Sequence, residues 1–389
     1  MRMSRRESGR SGSTGRRRGT EGLESDPGQP HAHPSAPRSG GTLPLLLLAL
    51  LVFAIGADVF RIGFFADDFH FLDVARRMPL GRVLLGHFGI WPWYRPLSRE
   101  LFFYVVTLAG PASVFTARVL SLACLLGAAW ALYRLGQLLF GRGAGIAAAA
   151  LLVTYGYTKV FLSWGAGFQD LLATTLVLWA VLAHVEGRSS RALVLAALAP
   201  FAKESGFLVA PLILAFAFLV EGRRRLEPWM LRQALVWIAA LGIHALVRTT
   251  WPPGGDAALH PYVARELPEA FVAIAQSFVY PGAPAGIATG LLGIAAAVAV
   301  WLLFGVSSPA GRGGSTFPAG RTIAFLSLGA LLGMAPLLML FFARYWVSNA
   351  RFAYPAVPWL ALLAGAGAAR LPAPVLRFAV AALVLVNVW

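Results

Sequence analysis

The sequence predicts an all-α polytopic membrane protein with about eleven transmembrane helices and an interfacial amphipathic helix in the first outer loop. Three observations support this fold class. Of the 389 residues, 58% are hydrophobic and 13% are charged, and the mean hydropathy is +0.68. Apolar segments of roughly 20 residues, the length that crosses a bilayer core as a helix, recur along the chain. Basic residues collect in alternate connecting segments, the pattern that orients membrane proteins.

Residues 1–42 form a basic, polar segment before the first apolar run. They contain eight arginines and four acidic residues, with no apolar run able to form a core, so we expect a disordered tail. A basic tail before an apolar run is typical of a cleaved signal peptide or of a retained membrane anchor. The long tail and the many later spans favour an anchor with its tail in the cytoplasm. Residues 43–389 then form one transmembrane domain, which ends inside an apolar run, as a truncated protein would.

The predicted spans lie near 43–60, 112–140, 144–162, 169–185, 192–202, 207–220, 230–248, 286–305, 322–342, 355–369 and 374–389. The two short spans at 192–202 and 207–220 predict helices that meet at a polar turn. With a cytoplasmic amino terminus, the arginine-rich connections all fall on the cytoplasmic side. Ten of the seventeen acidic residues then lie on or near the outer side, so we expect any chemistry there, at the outer face of the cytoplasmic membrane.

The net charge of +16, from 33 basic and 17 acidic residues, would suggest a nucleic-acid partner in a soluble protein. In a membrane protein such residues are first of all topology signals, so we predict no nucleic-acid partner. The single cysteine, Cys124, excludes an intrachain disulfide and a multi-cysteine metal site. The sequence contains no GxxxxGK[ST], HExxH or GxSxG motif. It therefore predicts no resident cofactor, although a divalent metal that bridges carboxylates and a phosphate stays an option.

The first outer loop begins with two adjacent aspartates, Asp67 and Asp68. Phe65, Phe69 and Leu72 recur at helical spacing around them, which predicts an amphipathic helix in the membrane interface. Carboxylates at that depth are costly unless they face an aqueous cavity, a cation or a hydrogen-bond partner, so they are usually functional. The alternative is that Asp67 only caps the helix. Capping needs one acidic residue, whereas this segment has two.

Later in the same loop, Tyr94 and Arg95 precede Pro96. The proline favours an extended backbone at Arg95, and a guanidinium fixed in this way suits a phosphate or a carboxylate. The alternative is a structural ion pair with Asp67 or Asp68. The aromatic residues around Arg95 are also typical of an interface belt.

Lys203 and Glu204 interrupt an apolar run of nearly thirty residues. Such a break at membrane depth is tolerated where it lines a cavity or is buried in protein. Lys203 is a candidate partner of a lipid phosphate, and Glu204 either steadies it or binds substrate. A purely structural ion pair is the alternative.

Two further outer segments carry charge. Asp170 begins a predicted helix, where an acidic residue also stabilises the helix dipole. Arg351 lies in a segment with Arg344, and no acidic residue follows Glu269 in the chain. That excess of positive charge is what an anionic lipid headgroup would neutralise.

These motifs, in this order, resemble the integral-membrane C-type glycosyltransferases, in particular the protein O-mannosyltransferase and aminoarabinose-transferase group, including the branch that carries tetratricopeptide repeats. The resemblance covers nearly the whole chain after Leu43. Its motifs are Asp67-Asp68, Tyr94-Arg95-Pro96-Leu97, Gly165 to Asp170, Lys203-Glu204-Ser205-Gly206 and Arg351-Phe352-Ala353-Tyr354. Pro355 follows one residue earlier than in the family pattern.

The resemblance implies a transferase that uses a polyprenyl-phosphate sugar and has its active site under the first outer loop. It implies a catalytic role for Asp67 or Asp68 and substrate contacts from Tyr94, Asp170, Glu204 and Tyr354. Where many relatives carry His-Pro and a glutamate before the fourth span, this chain has Tyr155-Gly156 and Lys159. Lys159 then becomes a candidate donor-phosphate contact beside Arg95, Lys203 and Arg351.

The chemistry of glycosyl transfer suits these residues. A carboxylate such as Asp67 can take the proton of an acceptor hydroxyl on a protein, lipid or glycan, and the cations can stabilise the departing phosphate. One attack at the anomeric carbon inverts its configuration. The competing hypotheses are a transporter or flippase of an anionic lipid or small solute, which would also use broken helices, and a non-catalytic membrane scaffold.

Overall fold

The computed structural model describes residues 42–85, 94–250, 317–339, 350–368 and residue 374. These residues form helices and connecting turns, and within them there is no strand. Four of the described helices are long and apolar enough to cross a membrane. They are Thr42–Arg61, Gly110–Phe140, Gly165–Val185 and Pro228–Val247. The chain is therefore an integral membrane protein, and the described residues do not establish the predicted number of eleven spans.

The first span is helix α1, Thr42–Gly56, which continues as a 3-10 turn at Ala57–Arg61. Leu48, Val52 and Ile55 recur every three or four residues and are buried against the rest of the protein. Leucines on the other side of the helix, such as Leu46 and Leu50, are exposed. This division is expected for a helix with one face on protein and the other on lipid.

The segment predicted as the first outer loop contains short helical elements in its described residues. They are α2 at Asp68–Arg77, α3 at Leu80–Leu85, a π-helical turn at Pro96–Leu101 and α4 at Phe102–Leu108. An amphipathic helix is present here as α2, with Leu72 buried and Phe69 63% exposed; its position in the membrane interface stays a prediction. The predicted common apolar face is wrong, because Phe65 precedes the helix and Leu72 points into the protein.

Helices α5 (Ser113–Phe140), α6 (Arg142–Val153) and α13 (Val357–Ala368) pack closely together. A Cβ atom at Gly136 would lie 2.6 Å from the Cα atom of Gly145, and one at Gly365 would lie 3.1 Å from the backbone nitrogen of Ala148. Small residues at these contacts let the helix backbones approach, as is usual between membrane helices.

The span predicted at 144–162 is wrong as a single helix. The structure divides it into α6, which ends at Val153, and α7 at Thr158–Ser163. The Thr154 hydroxyl donates to the Ala150 carbonyl, and a turn containing Gly156 follows. Glycine is a poor helix former, which explains the interruption. The 12 residues of α6 cover roughly 18 Å, less than the ~30 Å bilayer core.

The predicted pair of short helices around Lys203 is confirmed. Helix α9, Ser189–Ala202, contains Pro200 and ends just after it. Lys203 has an extended backbone, and a 3-10 turn at Glu204–Leu208 leads into α10, Val209–Ala215. A Cβ atom at Gly206 would collide with the Ala199 carbonyl, so the turn folds directly onto the end of α9.

The remaining described helices are α8 at Phe168–Val185, α11 at Pro228–Thr250 and α12 at Ala319–Met339. Helix α8 packs between α5 and α9 and brings its first turn towards the polar turn at Lys203. The predicted span at 286–305, the span at 374–389 beyond its first residue, Arg344 and the tail up to residue 41 lie outside the described residues.

Candidate functional site

Asp67 lies at the end of an irregular segment between α1 and α2. Ala66, directly before it, has a φ angle of 51°, a conformation that a side chain disfavours and that is found mostly where the surroundings enforce it. Asp67 precedes the first residue of α2, but its side chain makes no capping hydrogen bond, and it is exposed. The capping alternative is therefore wrong, and the Asp67 side chain is open to solvent.

Asp68 has a different environment from its neighbour. Its side chain is fully buried, and its two oxygens accept hydrogen bonds from the backbone nitrogens of Gly165 and Ala166, at 3.0 and 2.8 Å. A Cβ atom at Gly165 would lie 2.9 Å from Asp68 Oδ1, so glycine leaves room for the carboxylate. Burial raises the pKa of Asp68, and the hydrogen bonds from these amides oppose the rise. Asp68 thus joins the first outer loop to the start of α8.

Arg95 joins the same loop to the polar turn. Its Nε donates to both carboxylate oxygens of Glu204, at 2.9 and 3.1 Å, and its Nη2 lies 2.6 Å from Glu204 Oε2. Its Nη1 donates to the side-chain oxygen of Gln169. The predicted structural pair of Arg95 with Asp67 or Asp68 is therefore wrong, since the carboxylate that it binds is Glu204.

Lys203 pairs with the first turn of α8. Its Nζ lies 2.5 Å from Asp170 Oδ1, and both side chains are nearly buried. The ammonium also lies 5.4 Å from the centre of the Phe352 ring. Glu204 pairs with Arg95 and not with Lys203. Asp170 is the partner of Lys203, the role that the sequence suggested for Glu204. Asp170 is thus more than a helix-dipole residue.

Arg351 is the cation of this group that has no carboxylate within 4 Å among the described residues. Its guanidinium lies 4.6 Å from the Trp164 ring centre and 5.1 Å from the Phe352 ring centre. Burial lowers the pKa of Arg351, and the negative charges of Asp170 and Asp67 oppose this change.

The other predicted site residues, Lys159, Tyr94 and Tyr354, have separate environments. Lys159 Nζ lies 3.2 Å from Asp58 Oδ2, and both side chains are exposed; its donor-phosphate role stays a prediction. The Tyr94 hydroxyl donates to the Leu84 carbonyl at 2.8 Å. Tyr354 is fully buried, 4.6 Å from Phe161 between ring centres, and its hydroxyl has no hydrogen-bond partner in the described part of the chain.

The sequence interpretation missed three side chains of this cluster, Trp164, Gln169 and Phe352. Gln169 directly precedes Asp170, Phe352 directly follows Arg351, and Trp164 directly precedes the motif from Gly165 to Asp170. Trp164 stacks on Arg351, and its indole nitrogen has no partner among the described residues. Position beside a charged motif was the available signal for all three.

Possible metal ligands do not converge in the described ranges. Those residues contain no group of three His, Cys, Asp or Glu side chains that could hold a metal ion. Both oxygens of Asp68 already accept amide hydrogen bonds. A metal bridging Asp67, Asp68 and a phosphate would have to compete with those amides.

Comparison with known proteins points to one fold. No protein-family model matches the sequence, and no curated protein does. The solved structure of ArnT from Cupriavidus metallidurans bound to undecaprenyl phosphate, an aminoarabinose transferase, is similar with a TM-score of 0.56 and 14% identity over 86% of this chain. This chain spans 61% of the length of ArnT.

A second solved structure is the apo oligosaccharyltransferase of Archaeoglobus fulgidus, with a TM-score of 0.41 and 15% identity, covering 85% of this chain and 50% of that protein. Both proteins are C-type glycosyltransferases. The similarity to ArnT confirms the predicted resemblance at the level of the fold: this chain has the fold of a C-type integral-membrane glycosyltransferase.

Proposed function

We propose that this protein transfers a sugar from a polyprenyl-phosphate donor to an acceptor hydroxyl at the outer face of the cytoplasmic membrane, with inversion at the anomeric carbon. The observation that carries the proposal is the pair of Asp67 and Arg351. It combines an exposed carboxylate that makes no capping bond with a guanidinium that has no carboxylate partner in the described residues. That guanidinium lies 4.6 Å from the ring centre of Trp164, directly before the Gly165 amide that binds Asp68. The fold shared with a protein whose structure holds undecaprenyl phosphate supports the choice of donor.

Arg351 is the first candidate for the donor phosphate. Arginine presents a planar set of donors that matches phosphate oxygens, and the rings of Trp164 and Phe352 hold it in place. Lys203 and Arg95 are already paired with Asp170 and Glu204. They would stabilise the phosphate through the electric field of their fixed positive charges more than by forming new ion pairs with it.

Asp67 is the proposed general base. Its carboxylate takes the proton of the acceptor hydroxyl while that oxygen forms a bond to the anomeric carbon. The bond from the anomeric carbon to the phosphate oxygen breaks, and polyprenyl phosphate leaves with the electron pair. Arg351 stabilises the charge that develops on the leaving group. One displacement of this kind inverts the anomeric configuration.

The paired carboxylates define the rest of the proposed site. Glu204 and Asp170 hold the two cations and present their remaining lone pairs to sugar hydroxyls. The unpartnered hydroxyl of Tyr354 is a further candidate hydrogen-bond donor. Tyr94, whose own hydroxyl is bonded to Leu84, would contribute an aromatic surface. The acceptor is a protein, lipid or glycan hydroxyl.

The test is release of free polyprenyl phosphate by the purified protein from a panel of polyprenyl-phosphate sugars, with an envelope fraction as acceptor. Arg351→Ala should abolish release at limiting donor. Arg134→Lys is the control, because Arg134 pairs with Glu186 at 3.0 Å, away from the cluster. The same protein in liposomes is assayed for movement of a labelled lipid phosphate. Movement without release from any donor would favour a flippase and contradict the transferase.

A further inference from the structure

An arginine is fully buried within helix α5, one of the membrane-crossing helices. Arg118 is 0% exposed and lies in the span Gly110–Phe140. A charge inside a membrane helix is costly and persists where it has a specific role. The carboxylate of Asp68 acts on it electrostatically, but the oxygens of Asp68 are already bound by backbone amides. Arg118 therefore serves something other than a simple ion pair.

The guanidinium of Arg118 binds backbone carbonyls of two separate segments. Its Nη2 donates to Ile62 and Gly63, at 3.1 and 3.0 Å, and its Nη1 donates to Leu162 at 3.2 Å. Ile62 and Gly63 begin the irregular segment that leads to Asp67, and Leu162 lies at the end of α7. Arg118 thus fixes the start of the 62–68 loop against α7, the helix that precedes α8.

Asp68 fixes the other end of the same loop. Its carboxylate accepts from the amides of Gly165 and Ala166, just beyond α7. Between these two anchors the loop contains Ala66 in its disfavoured conformation and then Asp67. A strained backbone persists only when its surroundings enforce it. Arg118 and Asp68 both attach the loop to the turn between α7 and α8, and Ala66 lies between the two attachment points. These contacts enforce the backbone conformation of Ala66.

We propose that Arg118 is a positioning residue for Asp67: together with Asp68 it holds both ends of the 62–68 loop on the α7–α8 turn, and so sets where the Asp67 carboxylate lies. The inference rests on the proposed function, because it assigns Arg118 to the reaction through Asp67. The planar fork of arginine reaches carbonyls in two directions at once. The single ammonium of lysine retains the charge but cannot reproduce that fork.

The test compares Arg118→Lys with wild type in the release assay. We expect kcat to fall about 100-fold, the cost of misplacing a reacting group by roughly 1 Å, while KM for the donor and the affinity for polyprenyl phosphate stay unchanged. Arg134→Lys, a matched change on the same helix, should leave kcat unchanged. Wild-type kcat in Arg118→Lys would overturn the proposal. A variant in which kcat, donor affinity and melting temperature all fall would also overturn the proposal, because that pattern indicates a merely structural role.

Hydrogen exchange of the purified full chain gives a readout that does not depend on activity. In Arg118→Lys, amides of residues 62–67 should exchange faster, while those of α8 keep their wild-type rates. Unchanged exchange at 62–67 would overturn the anchoring. If wild type releases no polyprenyl phosphate from any donor, the proposed function fails, and faster exchange at 62–67 would still support the anchor itself.

Discussion

Arg95 and Glu204, which are 109 positions apart in the sequence, form a bidentate ion pair with Nε to carboxylate distances of 2.9 and 3.1 Å. The pair joins the first outer loop to the polar turn between α9 and α10. Arg95 also donates to Gln169 in α8. One guanidinium thereby holds together three elements that are distant in the chain.

Removing this guanidinium should destabilise the protein. In Arg95→Ala the Glu204 carboxylate keeps its position without its partner. We expect a loss of about 2–3 kcal/mol in the free energy of unfolding, at the lower end for such pairs because both side chains keep some exposure. Unfolding in mixed detergent micelles measures it. The control is Arg77→Ala, which breaks the exposed Arg77–Asp73 pair and should cost at most about 1 kcal/mol. Equal effects of the two variants would contradict this account of the pair.

A methyl group at Gly206 should disturb the polar turn. It would collide with the Ala199 carbonyl, and because that obstacle is backbone, the turn itself must move. We expect Gly206→Ala to cost about 1–3 kcal/mol and to reduce polyprenyl-phosphate release, since Lys203 and Glu204 would shift. Gly242→Ala in α11 is the matched control, because a Cβ atom there meets no other atom within 4 Å. A stable, fully active Gly206→Ala would show that the turn tolerates displacement.

Asp68 should give stability a defined dependence on pH. Burial raises its pKa above the usual 3.8, so the folded protein binds this proton more tightly than the unfolded chain does. The contribution of Asp68 to stability is then greatest below its unfolded pKa, and it declines as pH rises through the folded-state value. Asn at this position does not titrate. The stability of Asp68→Asn relative to wild type should therefore increase as pH is raised from 3.8; a constant difference would contradict the effect of burial.

The sequence predicted a helical membrane protein and named most of the charged residues that the structure brings together. Hydrophobic segments and alternating basic connections are local signals, so α1, α5 and the break at Lys203 could be expected from them. The pairing of the charges could not, because it depends on how helices distant in the chain pack together. Arg95 meets Glu204, and Lys203 meets Asp170, across 109 and 33 positions.

Two adjacent aspartates also proved to be unequal. The sequence Asp67-Asp68 does not indicate which aspartate is buried, because burial depends on the φ angle of Ala66 and on the amides of Gly165 and Ala166. Arg118 was open to prediction, since an arginine flanked by apolar residues near the start of the run 112–140 is an unusual feature.

Substitutions at Arg351 and at Lys159 distinguish two possible positions of the donor phosphate. Arg351 lacks a carboxylate within ion-pair distance in the described residues, whereas Lys159 is paired with Asp58 at an exposed position. We expect Arg351→Lys to weaken the binding of polyprenyl phosphate by about ten- to a hundredfold, the value of hydrogen bonds to a charged group. Lys159→Met should weaken it by about fivefold or less. Binding of a fluorescent polyprenyl phosphate measures both, and the reverse order would place the phosphate beside Lys159.

Single-turnover kinetics of Asp67→Asn show whether Asp67 is the base of a glycosyl transfer. The exposed side chain makes no capping bond, so the variant should fold and bind polyprenyl phosphate as wild type does. Its rate of sugar transfer should fall by about 10²–10⁴-fold, the usual contribution of a general base. A wild-type rate of transfer in Asp67→Asn, with donor binding intact, would contradict the assignment.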